Sequence, residues 1–127
     1  ILTAEGEGWA FEEIARQEAG RMMAQRALPA GTILCSNDRL AIGVLAAAYE
    51  HGLRVGVGPG HALRVAGHDD HPYARFTCPS LTTVSQDYDA IAGGSLETLL
   101  SIIRTGERPE EKRAVLFDGA LVMRKSA

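Results

Sequence analysis

The fold class follows from one short stretch, Thr32-Ile33-Leu34-Cys35-Ser36-Asn37-Asp38. Its first four residues form an apolar run that is too short for a helix, which predicts a buried strand. Asn37 supplies an N-cap side chain directly after this strand, and the helix it begins is predicted to continue to His51 and to end at Gly52. A strand that passes straight into a capped helix is typical of an α/β fold.

The segments on either side extend this pattern. Gly52–His61 contains four glycines and Pro59, which predicts a loop, and Leu63–Gly67 reads as the next strand. Strand, helix and strand then form a βαβ unit, for which a right-handed crossover is expected. Upstream, Phe11–Ala27 has apolar residues at the three-to-four spacing of an amphipathic helix.

The second half of the chain predicts a strand, a long helix and a hairpin. Leu81–Ser85 is rich in β-branched residues, and Asp87 can cap a helix that Gly106 closes. Two short terminal strands are predicted around a turn at Asp118-Gly119, namely Lys112–Phe117 and Leu121–Arg124. The sequence therefore predicts an α/β fold of three layers, a mostly parallel sheet flanked by helices.

Composition narrows the class of protein. A chain of 127 residues is a common size for one domain, and no apolar run approaches the ~20 residues that cross a bilayer. The net charge is −3 with basic residues spread among acids, so these residues are not expected to grip DNA themselves. Cys35 and Cys78 lack C-x-x-C spacing and are predicted to be reduced structural thiols. Residues 1–7 lack secretory-signal features, which indicates a cytoplasmic protein or a trimmed sequence.

Polar residues follow two predicted strands, where open α/β sheets bind small ligands. Asn37 and Asp38 follow the first strand, and Asp69 and Asp70 follow the next, so all four side chains are candidates to face one crevice. Carboxylates accept hydrogen bonds while an amide both donates and accepts, which suits the vicinal hydroxyls of a sugar-like ligand. The alternative is that the first pair only caps a helix and the second only forms a solvated turn.

Other candidate chemistries are less well supported. His68 and His71 flank the aspartates, but a metal site needs three or four converging ligands, so neither a metal nor a cofactor is predicted. Trp9 either stacks on a ligand at a cleft mouth or merely staples the start of the first helix. The glycine-rich loop follows a helix where a phosphate-binding loop follows a strand, so it reads as a connection. No serine is paired with a base, and an enzyme is the minority interpretation.

The order of motifs resembles the effector-binding domain of LacI/GalR-type bacterial transcription repressors, whose fold is that of the type I periplasmic sugar-binding proteins. The match covers roughly three-quarters of the chain. It runs through Asn37-Asp38 with Ala41 and Gly43, Gly52-Leu53-Arg54-Val55, Gly67-His68-Asp69-Asp70, Pro79 with Leu81-Thr82-Thr83-Val84, Gln86-Asp87, and Leu121-Val122-x-Arg124-x-Ser126.

The resemblance implies roles for particular residues. Asn37 and Asp69 match residues that contact the effector, Gln86 matches one that lines the cleft, and Trp9 or Phe11 matches a stacking aromatic. Two departures stand out: His68 replaces the usual Phe or Tyr, and Val57–Gly60 looks like an insertion where a Pro-Asp turn is usual. The implied dimer interface uses the loop after Asp70, with Tyr73, Arg75 and Phe76.

The resemblance also implies a function and a domain organisation. Residues 1–127 match the C-terminal portion of the effector-binding domain, and neither the helix-turn-helix headpiece nor the N-terminal subdomain precedes them. The expected protein is a dimeric, non-enzymatic regulator that senses a small sugar-like effector and contacts operator DNA through the headpiece, without membrane association. The helix after Gln86 is expected to lack cover, which self-association would supply. The alternatives are a solute-binding protein of a transporter and, third, an enzyme whose turnover depends on Asp69.

Overall fold

A computed structural model describes residues 8–28, 30–107 and 114–127. The elements in chain order are α1 (Phe11–Ala24), β1 (Thr32–Leu34), α2 (Asp38–Glu50), β2 (Arg64–Ala66), a one-turn 3-10 helix (Ala74–Phe76), β3 (Thr83–Ser85), α3 (Tyr88–Thr105) and β4 (Ala120–Val122). The described residues fall into two compact units. The first contains those up to Ser85 together with Leu121–Ala127, and the second those of Gln86–Ala120.

The strands of the first unit pair mainly in parallel. β1 pairs with β2, with Thr32 opposite Arg64 and Leu34 opposite Ala66. Two isolated parallel bridges extend this pairing to β3. Ala66 of β2 pairs with Thr82, the residue before β3, and Asp69, in the loop after β2, pairs with Ser85 of β3. This parallel pairing, with helices between the strands in sequence, confirms the predicted α/β class.

The predicted caps set the ends of α2. The Asn37 side chain accepts a hydrogen bond from the Leu40 N–H at 2.8 Å, which satisfies one orphan donor of the first turn. Beyond the other end, Gly52 adopts φ 67°, the left-handed conformation that glycine adopts without a Cβ penalty.

Helices α1 and α2 pack closely through small residues. Ala15 and Ala19 of α1 and Ala47 of α2 are buried, and a Cβ on Gly43 would overlap the carbonyl oxygen of Glu12. Interiors are packed to crystal-like density, so this contact tolerates only glycine at position 43. The core also includes larger apolar side chains under the two helices, among them Met23, Val44, Leu45, Leu63, Val65 and Leu81.

The end of the chain is part of the sheet rather than of a hairpin. Ser126 is fully buried; its Oγ donates to the Val65 carbonyl at 2.6 Å and accepts from the Thr82 N–H at 2.8 Å. These bonds hold the tail beside the residues that lead into β3, and β4 accordingly pairs with β3. The predicted hairpin around Asp118-Gly119 is therefore wrong: residues 114–119 contain no strand, while residues 112–113 lie outside the described residues.

The second unit is dominated by α3. Asp87 caps it by accepting from the Ala90 N–H at 2.9 Å, and Gly106 ends it at φ 73°, as predicted. No side chain of α3 is buried among the described residues. Ile91 and Ile102 are half-buried, and its other large apolar residues are exposed, namely Tyr88, Leu96, Leu99, Leu100 and Ile103. In the part of the chain that the structure describes, no helix is long and apolar enough to cross a membrane.

Candidate functional site

Three segments meet at the edge of the sheet where the strands end. The Asp38 N–H donates to the carbonyl of His68 at 2.8 Å, and the Asp69 N–H donates to the carbonyl of Val84 at 2.8 Å. The His71 N–H donates to Asp38 Oδ2 at 2.7 Å. The loop after β2 is therefore bonded on one side to the start of α2 and on the other to β3, which fixes the position of the candidate residues that it carries.

Asp38 is the buried centre of this edge and does not face a crevice. Its side chain is 0 % exposed, and Oδ1 accepts a hydrogen bond from the Thr83 hydroxyl at 2.6 Å. The backbone of Gly67 packs so closely that a Cβ there would overlap the carboxylate. A buried carboxylate needs hydrogen-bond donors, and Thr83 and the His71 amide supply them inside the protein. The expectation that all four strand-end polar side chains face a ligand is thus wrong for Asp38.

Asp70 is also committed to an internal contact. Its Oδ1 accepts from Arg124 Nη2 at 2.6 Å, and both side chains are largely shielded from solvent. Arg124 Nη1 donates to the Leu81 carbonyl at 2.8 Å. This ion pair joins the tail of the chain to the loop after β2, so Asp70 has a structural role at this edge.

Asp69 remains as the aspartate with a partly exposed carboxylate. Its backbone has φ 116°, a conformation that residues with a Cβ rarely adopt and that costs about 1–3 kcal/mol. The bond from its own N–H to Val84 and a 3.3 Å bond from the next N–H to Thr83 Oγ1 hold this conformation. Asp69 Oδ1 lies 3.1 Å from His68 Nδ1. Strain of this kind clusters at ligand sites, where surrounding structure overdetermines the backbone.

Asn37 has a confirmed capping role that leaves part of its side chain available. The cap uses the amide oxygen, whereas the two donors on Nδ2 are not needed for it. The residue is half-buried and lies next to Asp38, whose backbone is bonded to the residue before Asp69. Asn37 and Asp69 thus occupy adjoining segments of one edge.

Ring contacts connect Trp9 to the first turn of α2. The Trp9 ring meets Phe11 edge-on at 5.7 Å, and the guanidinium of Arg39, in the first turn of α2, lies 5.2 Å from the centre of the Phe11 ring. Arg39 also donates to both carboxylate oxygens of Glu12, at 2.6 and 2.7 Å, and this hydrogen bonding lowers the pKa of Glu12. Trp9 itself is 81 % exposed. Sequence reasoning did not identify Arg39, although its cationic side chain lies only two residues after the cap.

The remaining predicted residues are Gln86 and the three residues of the predicted interface. Gln86 is the first residue of the second unit; it is half-buried, and its carbonyl accepts from the Tyr88 N–H at 3.0 Å. Tyr73, Arg75 and Phe76 lie on or beside the 3-10 helix, which the buried Ala74 anchors, and all three are exposed. The structure therefore connects the segments that carry Asn37 and Asp69 by a backbone hydrogen bond and connects Trp9 to the first turn of α2 by ring contacts, while the predicted interface residues form an exposed patch on and beside the 3-10 helix.

The histidines and cysteines of the first unit have separate environments. Within the described ranges, no three His, Cys, Asp or Glu side chains are placed to hold a metal ion. His71 Nδ1 accepts from the Tyr73 N–H at 3.3 Å. Both cysteines are free thiols; Cys78 is exposed, whereas Cys35 is buried, and burial raises the pKa of its thiol to about 11.

Comparison with known proteins places this geometry in context. The family model described as a periplasmic binding protein-like domain matches residues 2–127. Among curated proteins, the HTH-type transcriptional repressor PurR of Pasteurella multocida is 31 % identical over 123 residues, covering 93 % of this chain and 35 % of that protein. The probable HTH-type transcriptional repressor ExuR of Bacillus subtilis is 34 % identical over 84 residues, covering 66 % of this chain and 24 % of that protein. The chain spans about a third of the length of these relatives, or less.

Solved structures show the same similarity. A LacI-type transcription regulator from Bifidobacterium animalis superposes with a TM-score of 0.78 at 30 % identity, covering 94 % of this chain and 40 % of that one. A LacI family regulator from Arthrobacter in complex with lactose gives 0.74 at 28 % identity, with 91 % and 41 % covered. The lac repressor dimer bound to operator and the anti-inducer ONPF gives 0.74 at 31 % identity, with 89 % and 37 % covered.

Proposed function

The chain belongs to the periplasmic binding protein-like domain family of LacI/GalR-type regulators, and on that premise we propose that it is the effector-sensing part of a transcription regulator. The proposed effector is a small sugar-like molecule, and a solved relative binds lactose. Operator DNA would be contacted by a headpiece outside this chain, as the operator complex of the lac repressor suggests. Residues 1–127 would then be the C-terminal portion of the effector-binding domain of a cytoplasmic protein.

One observation carries this proposal: Asp69 is held in a strained backbone conformation with its carboxylate partly exposed, on a loop whose backbone is bonded to the residue that follows Asn37. The strain persists because hydrogen bonds from two neighbouring segments fix the loop. A carboxylate acceptor beside an amide donor matches adjacent hydroxyl groups, which both donate and accept. The exposed indole of Trp9 at the same edge offers a flat apolar surface for the C–H face of a sugar ring.

The buried Asp38 suggests how an effector would act on this edge. Its carboxylate joins the start of α2, the loop after β2 and β3, so a ligand that contacts Asn37 and Asp69 acts on segments that share one hydrogen-bond centre. An effector changes operator affinity only through its different affinities for two conformational states. We propose that the rigid edge transmits ligand contact as a unit.

The proposed site comprises Asn37, Asp69, Trp9 and Gln86, and the proposed homodimer interface comprises Tyr73, Arg75 and Phe76. Tyr73 and Phe76 are 67 % and 77 % exposed, and exposed aromatic residues are enriched at interfaces between subunits. The lac repressor is a dimer in its complex with operator and ONPF. Binding without turnover is proposed, in keeping with relatives that are repressors.

Calorimetric titration of the protein encoded by the whole reading frame, with lactose and a panel of other mono- and disaccharides, tests the proposed function. For the sugar that binds, Asn37→Ala and Asp69→Ala should each weaken affinity by about 1–3 kcal/mol, the cost of leaving a buried polar partner unpaired. Glu97→Ala, exposed on α3, is the control and should leave affinity unchanged. Full affinity in both site variants would remove these residues from the site.

The same reading frame separates the alternatives. A helix-turn-helix segment upstream supports the regulator, whereas a signal peptide would support the solute-binding protein of a transporter. Turnover of a bound sugar that Asp69→Asn abolishes without loss of fold would instead establish an enzyme.

A further inference from the structure

A depression of about 280 Å³ opens at the other end of the parallel strands, where β1 and β2 begin. Thr32 and Arg64, which are opposite each other in the sheet register, form one wall. The loop from Gly56 to Ala62 forms the other wall. We call this feature the strand-entry depression. It is separate from the edge that carries Asn37 and Asp69, which lies where the strands end.

The loop that walls the strand-entry depression has a defined conformation. Gly56 N–H donates to the Leu63 carbonyl at 3.0 Å, and Ala62 N–H donates to the Arg54 carbonyl at 2.9 Å. The His61 ring packs onto Gly56, where a Cβ would lie 2.9 Å from the ring, and Gly56 has φ 147°. His61 Nδ1 also lies within hydrogen-bond distance of the Gly58 carbonyl, at 3.3 Å. Glycine at position 56 is thus required to seat the histidine in the wall.

The charge around the strand-entry depression is positive and unbalanced. Arg64 lines it, and the Arg54 guanidinium approaches Gly60 in the loop. Across the described residues, neither arginine forms an ion pair. Arg16, Arg21, Arg39 and Arg124 are paired with carboxylates, whereas Arg26, Arg75 and Arg104 are exposed and have no ion pair among the described residues. No acidic side chain is among the described residues that line the depression.

We propose that the strand-entry depression binds the phosphate group of a small ligand. Arginine and lysine supply charge-assisted donors to phosphate oxygens, and glycines allow the backbone to approach an anion closely. The volume lies just below the range of small-molecule sites, which suits a phosphate with at most a small organic group. The wall includes Gly58 from Val57–Gly60, the segment that departs from the family pattern, so this site goes beyond the effector site proposed above.

Amide NMR of the whole protein during titration with inorganic phosphate tests this proposal, with sodium chloride at matched ionic strength as the reference. Phosphate should shift the amides of Gly56, Gly58 and Gly60 saturably, and chloride should not. Arg64→Gln should weaken this binding at least tenfold, and Arg104→Gln, an exposed arginine on α3, should leave it unchanged. Arg54→Gln provides a second test should Arg64→Gln fold poorly.

Ribose 5-phosphate and ribose distinguish the sources of the phosphate. Tighter binding of ribose 5-phosphate than of inorganic phosphate identifies a phosphorylated metabolite, and equal binding identifies free phosphate; both outcomes support the site. Three results would each overturn the proposal. Phosphate could shift the amides no more than chloride does, or Arg64→Gln and Arg54→Gln could leave phosphate binding intact. The third is tighter binding of a DNA oligonucleotide through the same arginines.

Discussion

The hydrogen bond between Asp38 and Thr83 should stabilise the first unit measurably. Asp38→Ala removes a charged acceptor from the Thr83 hydroxyl at 2.6 Å and from the His71 amide at 2.7 Å. Each hydrogen bond to a charged group contributes about 1.5–3 kcal/mol. Part of this loss is offset because the variant no longer has to remove a carboxylate from water when it folds. We therefore expect Asp38→Ala to lower the free energy of unfolding by about 3–5 kcal/mol, as for other broken buried charge contacts.

A second substitution, Thr83→Val, measures the contribution of the Asp38–Thr83 contact. Thr83→Val keeps the side-chain shape and removes the hydroxyl, so Asp38 Oδ1 loses its donor and stability should fall by about 2–3 kcal/mol. In the Asp38→Ala background the hydroxyl has already lost its acceptor and keeps only the 3.3 Å bond from the Asp70 N–H, so Thr83→Val should then cost less than about 1 kcal/mol. The double-mutant cycle should accordingly give a coupling of about 1–3 kcal/mol.

Urea unfolding followed by far-UV circular dichroism supplies the four free energies of the cycle. Hydrogen exchange provides a second readout, since protection of the His71 amide should be lost in Asp38→Ala and retained in Thr83→Val. The matched control is Asp89→Ala, which changes the exposed first-turn aspartate of α3 and should cost no more than about 1 kcal/mol. Additivity of the two substitutions within about 0.5 kcal/mol would refute the reasoning.

Two further predictions concern packing and thiol chemistry. Gly43→Ala should destabilise the protein because the new Cβ would overlap the Glu12 carbonyl. Gly93→Ala should instead stabilise it by up to about 1 kcal/mol, because no described atom lies within 4 Å of the new Cβ. Thermal unfolding compares the two variants, and equal effects would contradict the packing described. At pH 8 a thiol reagent should label Cys78 and spare Cys35 in the folded protein. Because burial raises the pKa of Cys35 from 9.0 to about 11, the unfolded thiol ionises first, and the free energy of unfolding should fall by up to about 3 kcal/mol as pH rises through that range. A Cys35→Ala variant should lack this part of the pH dependence, and an unchanged slope would contradict the assignment.

Local signals in the sequence were sufficient to predict where helices α2 and α3 begin and end. Asn37 and Asp87 cap α2 and α3 through their own side chains, and Gly52 and Gly106 lie just past their ends in the left-handed conformation. Each of these signals acts within about one helical turn, so it can be recognised without knowledge of the rest of the fold.

The orientation of the strand-end aspartates could not be read in the same way. Asp38 turns inward because Thr83 lies beside it, and Asp70 turns inward because Arg124 lies beside it; these partners are 45 and 54 residues away in the sequence. The prediction of a terminal hairpin was wrong for the same reason, because Ser126 bonds to Val65, a partner 61 residues away in the sequence. The paired threonines Thr82 and Thr83 in a strand predicted to be buried were the available signal, because a buried hydroxyl requires a partner.

The burial of Ser126 has a consequence for synthesis of the protein. Val65 emerges from the ribosome 61 residues before the serine whose hydroxyl it binds, and all of Gln86–Ala120 emerges in between. During that interval the Val65 carbonyl and the Thr82 amide lack their native partner, and the ion pair between Asp70 and Arg124 has not yet formed. The first unit can therefore complete its hydrogen bonding only after Arg124 and Ser126 have been synthesised. A frameshift that changes these two residues would leave every residue before them intact, yet it would release the strand-end loop that carries Asp69.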